Sequence, residues 1–259
     1  MRRSQLTQHK EKRGTIVTSE EILELKRLVD TLRARDQTYR VFGSGEKWGG
    51  HHYLFRPVLA DRQLVEFERR HGVEIPTDYR LFLSLIGDGG AGPSYGVVPL
   101  AEASRCNDLS TPFVWVDKHR LDREEEFGLW ERRPGCLEIC HHGCGYYDLL
   151  VVNGATSGLL WQDITAATNE FIPLHKTFYV WYREWVEDKL RKLNREPLLD
   201  QISEGVHINA LVDLLGGDMD TWKGAGLQPD EYYVSFRDAA ASFLLDAHSK
   251  VKRIHRFSL

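Results

Sequence analysis

The sequence predicts an α+β fold in which helices flank an antiparallel sheet. Segments 79–86 and 178–185 each place apolar side chains at positions i, i+3, i+4 and i+7, which is the spacing of one helix face. Between these segments, residues 137–139, 146–152 and 159–161 form short apolar runs that are separated by glycine-containing turns. Strands this close in sequence can be joined by hairpins, and a hairpin makes its two strands antiparallel.

The N-terminal region combines a polar segment with a predicted helix. Residues 1–17 are polar, so we expect a mobile tail there. Thr18 and Glu21 have the spacing of a capping box, in which each side chain bonds the backbone N–H of the other residue. An apolar stripe at helical spacing follows over residues 22–32, so a helix is predicted to begin after Thr18.

Segment 61–100 predicts a helix, a tight corner, a second helix and a glycine-rich loop. Gly72 stands where a C-cap glycine is expected, and Pro76 suits the first position of the second helix. Five of the ten residues from Gly87 to Gly96 are glycine, which indicates a chain reversal with positive φ at several positions. Further short strands are expected over residues 51–57, 97–100 and 113–116.

Several motifs in a fixed order resemble the SUKH superfamily, which is named partly for the yeast Smi and Knr cell-wall regulators. The pattern E…HGV-x-IP-x-DYR-x-FL runs from Glu68 to Leu83, and GDGGAGPSYGVVPL runs from Gly87 to Leu100. Four more segments match: HHGCG at 141–145, LLVVNG at 149–154, SGLLWQD at 157–163 and TFYVWYREWV at 177–186. The resemblance extends from about Tyr39 to about Leu193.

This resemblance implies an α+β binding module. Bacterial members of the family are commonly immunity proteins that block a partner toxin. The family has no catalytic motif, so the resemblance assigns no catalytic residue and no cofactor. We therefore expect a non-catalytic protein that neutralises a toxin by stoichiometric binding, as a monomer or weak dimer. The alternatives are a regulatory scaffold for a host protein and a zinc- or cysteine-dependent enzyme.

Composition agrees with a globular binding protein. The chain has 259 residues, 42% of them hydrophobic and 28% charged, which is ordinary for a globular protein with a core. A net charge of -4 argues against a general nucleic-acid binder. The chain lacks the apolar run of about 18 residues that a membrane span needs, and its N-terminus lacks the apolar part of a secretory signal. With four cysteines, too few for a disulfide scaffold, we expect a cytoplasmic location.

A change of composition at residues 194–197 predicts a domain boundary. We expect a SUKH-like domain over 18–194 and a small helix-plus-sheet appendage over 195–259, docked on the main domain because it is short for independent folding. The appendage carries three of the four net negative charges. Its pattern predicts a helical region over 202–215 and strands over 232–236 and 241–245, with residues 250–257 continuing the second strand after a bend at 248–249.

The best candidates for a metal site are Cys136, Cys140, His141, His142 and Cys144. Thiolates and imidazoles are zinc ligands, but the spacing C-x3-C-x3-C lacks the paired C-x2-C knuckles of a structural zinc site. Strand alternation would also place Cys136 and Cys140 on one face, where cysteine serves as a small buried apolar residue. We therefore favour packing over metal binding.

Two other chemistries also have weak sequence support. The glycine-rich loop lacks the order strand, glycines, helix and the Gly-Lys-Ser/Thr that a phosphate cradle needs. A nucleophilic Cys144 beside His142 would need a third residue to orient the base, and no pattern marks one.

Loop aromatic residues and an acidic run are candidates for partner contacts. The alternative for each aromatic residue is a place in the core, and such an acidic run is usually a solvated face. Aromatic side chains anchor protein interfaces, and a charged run can complement a basic toxin surface. The candidates are Trp48, Tyr95, Trp115, Glu124, Glu125, Glu126 and Trp130.

Overall fold

The computed structural model describes residues 17–46, 49–105, 107–122, 133–216, 219–224, 226–236 and 239–257. Within these ranges the α+β prediction is confirmed, with seven helices and two antiparallel sheets. Of the expected tail over residues 1–17, residues 1–16 lie outside the described residues, and Val17 is partly buried against the main core.

The elements follow one another in two groups along the chain. The helices are α1 Ser19–Arg35, α2 Asp61–His71, α3 Thr77–Leu85, α4 Leu100–Ala103, α5 Thr165–Thr168, α6 Phe178–Leu199 and α7 Ile208–Leu215. The strands of the first sheet are β1 His119–Arg120, β2 Cys136–Gly143, β3 Tyr146–Val151, β4 Leu160–Asp163 and β5 Glu170–Pro173. The second sheet contains β6 Met219–Trp222, β7 Tyr232–Phe236, β8 Ala241–Leu245 and β9 Val251–Arg256. Their spatial orders are β1-β5-β4-β3-β2 and β6-β7-β8-β9.

The predicted helix signals are confirmed at α1 and α2. Thr18 caps α1 through the expected capping box with Glu21. Gly72 ends α2 in the left-handed conformation at φ 66°. Pro76 precedes α3 as its N-cap residue instead of occupying the first helical position, a difference of one residue.

The first sheet carries helices on one face and a smaller apolar cluster on the other. On the helical face, α1, α3 and α6 bury their apolar stripes against residues of β2, β3 and β4 in the main core. The predicted stripe of α6 is confirmed, and Phe178 and Tyr182 are fully buried. On the opposite face, Phe113 and Trp161 lie in a separate cluster with Leu149 and Phe171. Tyr147 and the cavity described below lie on that second face.

The three expected short strands at 51–57, 97–100 and 113–116 are wrong as strands. Each provides only isolated bridges, through Phe55, Val97 and Phe113. Leu100 instead begins α4. The chain at 51–57 bends because His52 and Tyr53 both have positive φ. Its first two residues donate backbone hydrogen bonds to residues 43–44, and residues 54–57 form backbone hydrogen bonds with the glycine-rich loop.

The glycine-rich loop has the predicted positive φ at Gly89 and Gly90, with φ 83° and 108°. A Cβ at Gly90 would lie 2.3 Å from the carbonyl oxygen of Leu54, so the close approach of two backbones also requires glycine there. Gly87 is not at positive φ, but a Cβ there would lie 2.5 Å from the carbonyl oxygen of Arg56.

The predicted boundary at 194–197 lies inside α6, which continues to Leu199. The end of this helix packs in a second core, formed with α7 and the second sheet. Ala240 packs in the main core, and Arg40 forms an ion pair with Glu196. The C-terminal segment is thus joined to the main core by a continuous helix, and β9, expected as an extension of the preceding strand, pairs with β8 as a separate strand.

Across the described ranges, none of the helices combines the length and apolar character that a bilayer-spanning segment needs.

Candidate functional site

A line of aromatic rings crosses the surface from the glycine-rich loop to the end of the first sheet. Phe42 contacts Tyr95 with ring centroids 5.3 Å apart, and Tyr95 stacks on His141 at 5.8 Å. His141 lies against Tyr147, its partner in the β2–β3 register, at 4.8 Å. We call Phe42, Tyr95, His141 and Tyr147 the aromatic row. Phe42 is 45% exposed, and the other three are half-buried.

Arg133 closes the row and borders a cavity. Its guanidinium carbon lies 4.4 Å from the centroid of Tyr147, a cation–π contact, while Nε donates to Asp163 at 2.5 Å and Nη1 donates to Glu138. Burial alone would lower the pKa of Arg133, but the two carboxylates outweigh it, so the pKa is raised. A cavity of about 370 Å³ opens beside these groups, lined also by Phe171.

The structure describes two of the seven predicted partner-contact residues, Tyr95 and Trp115. Tyr95 lies in the aromatic row. Trp115 is half-buried and stacks on His119 and Phe171 at 4.7 and 4.6 Å, so it belongs to the apolar cluster behind the cavity. The other five candidates, Trp48, Glu124, Glu125, Glu126 and Trp130, lie outside the described residues.

Cys136 and Cys140 are both buried, as predicted, but on opposite faces of the sheet. Cys140 packs in the main core and Cys136 in the cluster around Phe113. The expectation that they share a face is wrong because the β2–β3 register shifts between Glu138 and Cys140, which reverses the alternation. Burial raises the pKa of both thiols well above the ordinary value.

His142 and Asp148 meet beneath the glycine-rich loop, on the face opposite His141. The Nδ1 atom of His142 lies 2.7 Å from Ser94 Oγ, and its Nε2 atom lies 2.9 Å from Asp148 Oδ2. Asp148 is 2% exposed and also accepts a hydrogen bond of 2.9 Å from Trp181 Nε1. Cys140, the register partner of Asp148, completes the group. One ligand atom from each of Cys140, His142 and Asp148 lies within 4.8 Å of the other two.

The Ser94–His142–Asp148 contacts have the composition of a hydrolase triad but lack its geometry. Although His142 Nε2 lies 2.9 Å from Asp148, within ion-pair distance, the two atoms do not form a hydrogen bond, and within the described structure Nε2 has no hydrogen-bond partner. A triad needs that bond to hold the imidazole tautomer. Residues 92–96 also have G-x-S-x-G spacing, and Ser94 has φ 49°, but the loop leads to an isolated bridge at Val97 instead of the helix of a nucleophile elbow.

The proposed nucleophile Cys144 lies apart from this group. It is exposed at φ 51° in the β2–β3 turn and borders the cavity beside Arg133. His142 points instead toward Ser94 and Asp148, so the Cys144–His142 pair that the sequence suggested is replaced by another set of contacts.

Sequence reasoning missed Asp148 and Ser94. A usable signal for Asp148 was a carboxylate between two tyrosines and two leucines in a predicted strand, because a buried acid in a sheet requires a partner. Ser94 had no comparable signal, since loop serines usually face water.

Comparison with family models, curated proteins and solved structures finds no match to this chain. The SUKH-like motif set therefore remains a resemblance carried by the sequence.

Proposed function

We propose that this chain is a non-catalytic binding protein of the immunity type, which neutralises a bacterial toxin by forming a stoichiometric complex. The ordered SUKH-like motifs support the class of function. The structural observation that carries the proposal is the aromatic row, which ends at Arg133 and the neighbouring cavity.

The residue types of this surface suit a binding hot spot. Tyrosine and arginine are enriched among the residues whose truncation costs most at protein interfaces. Tyr95 and Tyr147 are half-buried, so each ring packs against its neighbours and is still partly accessible to a partner. Such anchors lose little side-chain entropy when a partner binds, because they are already held in place.

The backbone beneath the row is also held by hydrogen bonds. His141 and Tyr147 lie opposite each other in a ladder of paired strands. Tyr95 lies in a turn that is closed by a bond of 2.8 Å from Gly96 N–H to the Pro93 carbonyl. A preorganised surface of this kind favours a long-lived complex, which inhibition by occlusion requires.

The charge pattern of the surface limits the partners that fit. Arg133 keeps its charge, but Asp163 and Glu138 largely neutralise it locally. The row is therefore better suited to an apolar or aromatic projection that enters the cavity than to a nucleic-acid backbone. A tight complex would bury roughly 1,200–2,000 Å² in total, so the row would form the centre of a larger contact.

Co-purification from the native cell, together with co-expression with toxin genes encoded nearby, tests the proposal. We expect a bound toxin domain and restored growth. In a binding assay with that toxin, Tyr95→Ala and Tyr147→Ala should each weaken affinity about 30-fold, the effect of a hot-spot loss of about 2 kcal/mol.

Tyr179→Ala is the matched control, because this half-buried tyrosine lies on α6, on the helical side of the sheet. If all three variants changed the affinity equally, the aromatic row would not be part of the interface. Capture of a kinase or transcription factor in place of a toxin would favour the regulatory scaffold, and failure to rescue growth or bind any neighbouring toxin would count against immunity.

A further inference from the structure

We propose that Cys140, His142 and Asp148 form a zinc-binding site that fastens the β2–β3 hairpin to the glycine-rich loop. This inference revises the sequence-based preference for packing alone, and it is independent of the proposed immunity function. It rests on the position of the three donors, on a buried nitrogen that lacks a hydrogen-bond partner, and on the groups that hold the donors in place.

The three donors come from neighbouring positions of two paired strands. Cys140 and His142 are two residues apart on β2, and Asp148 on β3 is the register partner of Cys140. Their ligand atoms lie within 4.8 Å of one another, and the His142 Nε2 to Asp148 Oδ2 distance is 2.9 Å. Small side-chain adjustments would bring such atoms to the 2.0–2.3 Å metal–ligand distances of a tetrahedral zinc ion.

The Nε2 atom of His142 is buried and has no hydrogen-bond partner within the described structure. Leaving a buried polar atom unsatisfied destabilises the folded state, and an ion is one of the established reasons for such an atom. Here the nitrogen faces a carboxylate oxygen without hydrogen-bond alignment. A cation between these two atoms would satisfy both.

Each non-sulfur ligand is held by a second group. Ser94 Oγ contacts His142 Nδ1 at 2.7 Å, which is the nitrogen that would point away from the metal. Trp181 Nε1 donates to Asp148 at 2.9 Å, and Gln162 Nε2 donates to its other oxygen at 3.5 Å. Metal-binding histidines and carboxylates usually have such supporting hydrogen bonds, which fix the tautomer and orientation of the ligand.

The donor set favours zinc over calcium and magnesium. A thiolate, an imidazole and a carboxylate are all zinc ligands, whereas calcium and magnesium prefer oxygen alone. On binding, the S–H proton of Cys140, now donated to the Pro93 carbonyl at 3.2 Å, leaves to solvent, and a sulfur–zinc bond replaces the S–H bond. Three protein ligands leave a fourth position for water or another donor.

The first experiment measures zinc in the full chain, purified without a histidine tag and dialysed after incubation with zinc chloride. We expect close to one zinc per chain by elemental analysis, and a melting temperature that falls when a chelator is added. Cobalt substitution should give the intense visible bands of a tetrahedral site with a thiolate charge-transfer band. Wild-type protein with far less than one zinc per chain and no cobalt spectrum would overturn the proposal.

Variants assign the ligands. Asp148→Asn, which is nearly isosteric, and Cys140→Ser should lose the zinc, whereas Cys136→Ser should retain it. Cys136 is the matched control because it is a buried thiol on the same strand that faces the other side of the sheet. Zinc that is lost equally in Cys136→Ser, or retained in Asp148→Asn, would show that the assignment is wrong.

Ser94→Ala provides a test that does not remove a ligand. This variant should fold normally and bind zinc about 10–100-fold more weakly, because only the support of His142 is lost. An unchanged affinity would contradict the proposed geometry. All these measurements use the isolated protein and zinc alone, so their outcome does not depend on whether a toxin partner exists.

Discussion

Acid should destabilise this protein through His51, a buried histidine beneath the glycine-rich loop. His51 is 9% exposed and lies against the rings of Tyr53 and Trp185, with centroids 5.3 and 6.2 Å away. Its Nδ1 atom accepts the backbone N–H of Tyr53 at 3.0 Å, which requires an unprotonated nitrogen. Burial is the main cause that lowers the pKa of His51 from 6.5 to about 4.

The direction and the size of the change in folding stability with pH both follow from this pKa. Because the pKa is lower in the folded state, the folded protein binds fewer protons than the unfolded chain as pH falls. The stabilisation is therefore fully present above pH 6.5 and is lost as pH falls toward 4 and below. The maximum loss of unfolding free energy is about 3 kcal/mol, and at pH 4.5 this loss is about 2.5 kcal/mol.

Urea denaturation at pH 7.5 and pH 4.5 measures this effect. His51→Asn keeps an acceptor for the Tyr53 N–H but cannot be protonated. Between the two pH values, wild-type protein should lose about 2.5 kcal/mol more unfolding free energy than this variant, while other titrations cancel in the comparison. His175→Asn is the control, because His175 is exposed and its φ of 53° tolerates asparagine. Equal losses in wild type and His51→Asn would refute the reasoning.

Three further changes probe the loop, the ion pair and the C-terminal segment. Gly90→Ala should cost about 1–3 kcal/mol in urea denaturation, since φ is 108° and its Cβ would meet a carbonyl oxygen at 2.3 Å. Gly72→Ala is the control, because Gly72 also has positive φ, at 66°, but a Cβ there would meet no atom within 4 Å. An equal loss of unfolding free energy in both variants would show that the contact with the carbonyl oxygen contributes nothing. Arg133→Met should lower the unfolding free energy by about 3 kcal/mol, because it leaves Asp163, which is 1% exposed, without its cation. An unchanged urea midpoint would contradict this expectation. A chain that ends at Arg195 should melt cooperatively by circular dichroism, since all but one of the buried main-core residues precede it, and a gradual melt would place the C-terminal segment within the core.

The sequence by itself determined the features that depend on neighbouring residues. Thr18 and Glu21 predicted the start of α1, and Gly72 predicted the end of α2, because caps act within one helical turn. The apolar stripe of α6 predicted its buried face. The glycine content of the loop predicted positive φ at Gly89 and Gly90, since few other residues adopt that backbone conformation.

Only the tertiary structure decided how distant segments meet. The alternating pattern over residues 51–57 predicted a strand, but its backbone hydrogen bonds go to two irregular segments, residues 43–44 and the glycine-rich loop, so a bent connection forms instead. A register shift in β2 sends Cys136 and Cys140 to opposite faces, and strand pairing brings Asp148 next to His142. Register and bulges depend on hydrogen bonds between segments that are remote in sequence, so local periodicity cannot determine them. For this reason the sequence identified the cysteine–histidine cluster, whereas the fold selected Cys140 and His142 from it and supplied the carboxylate.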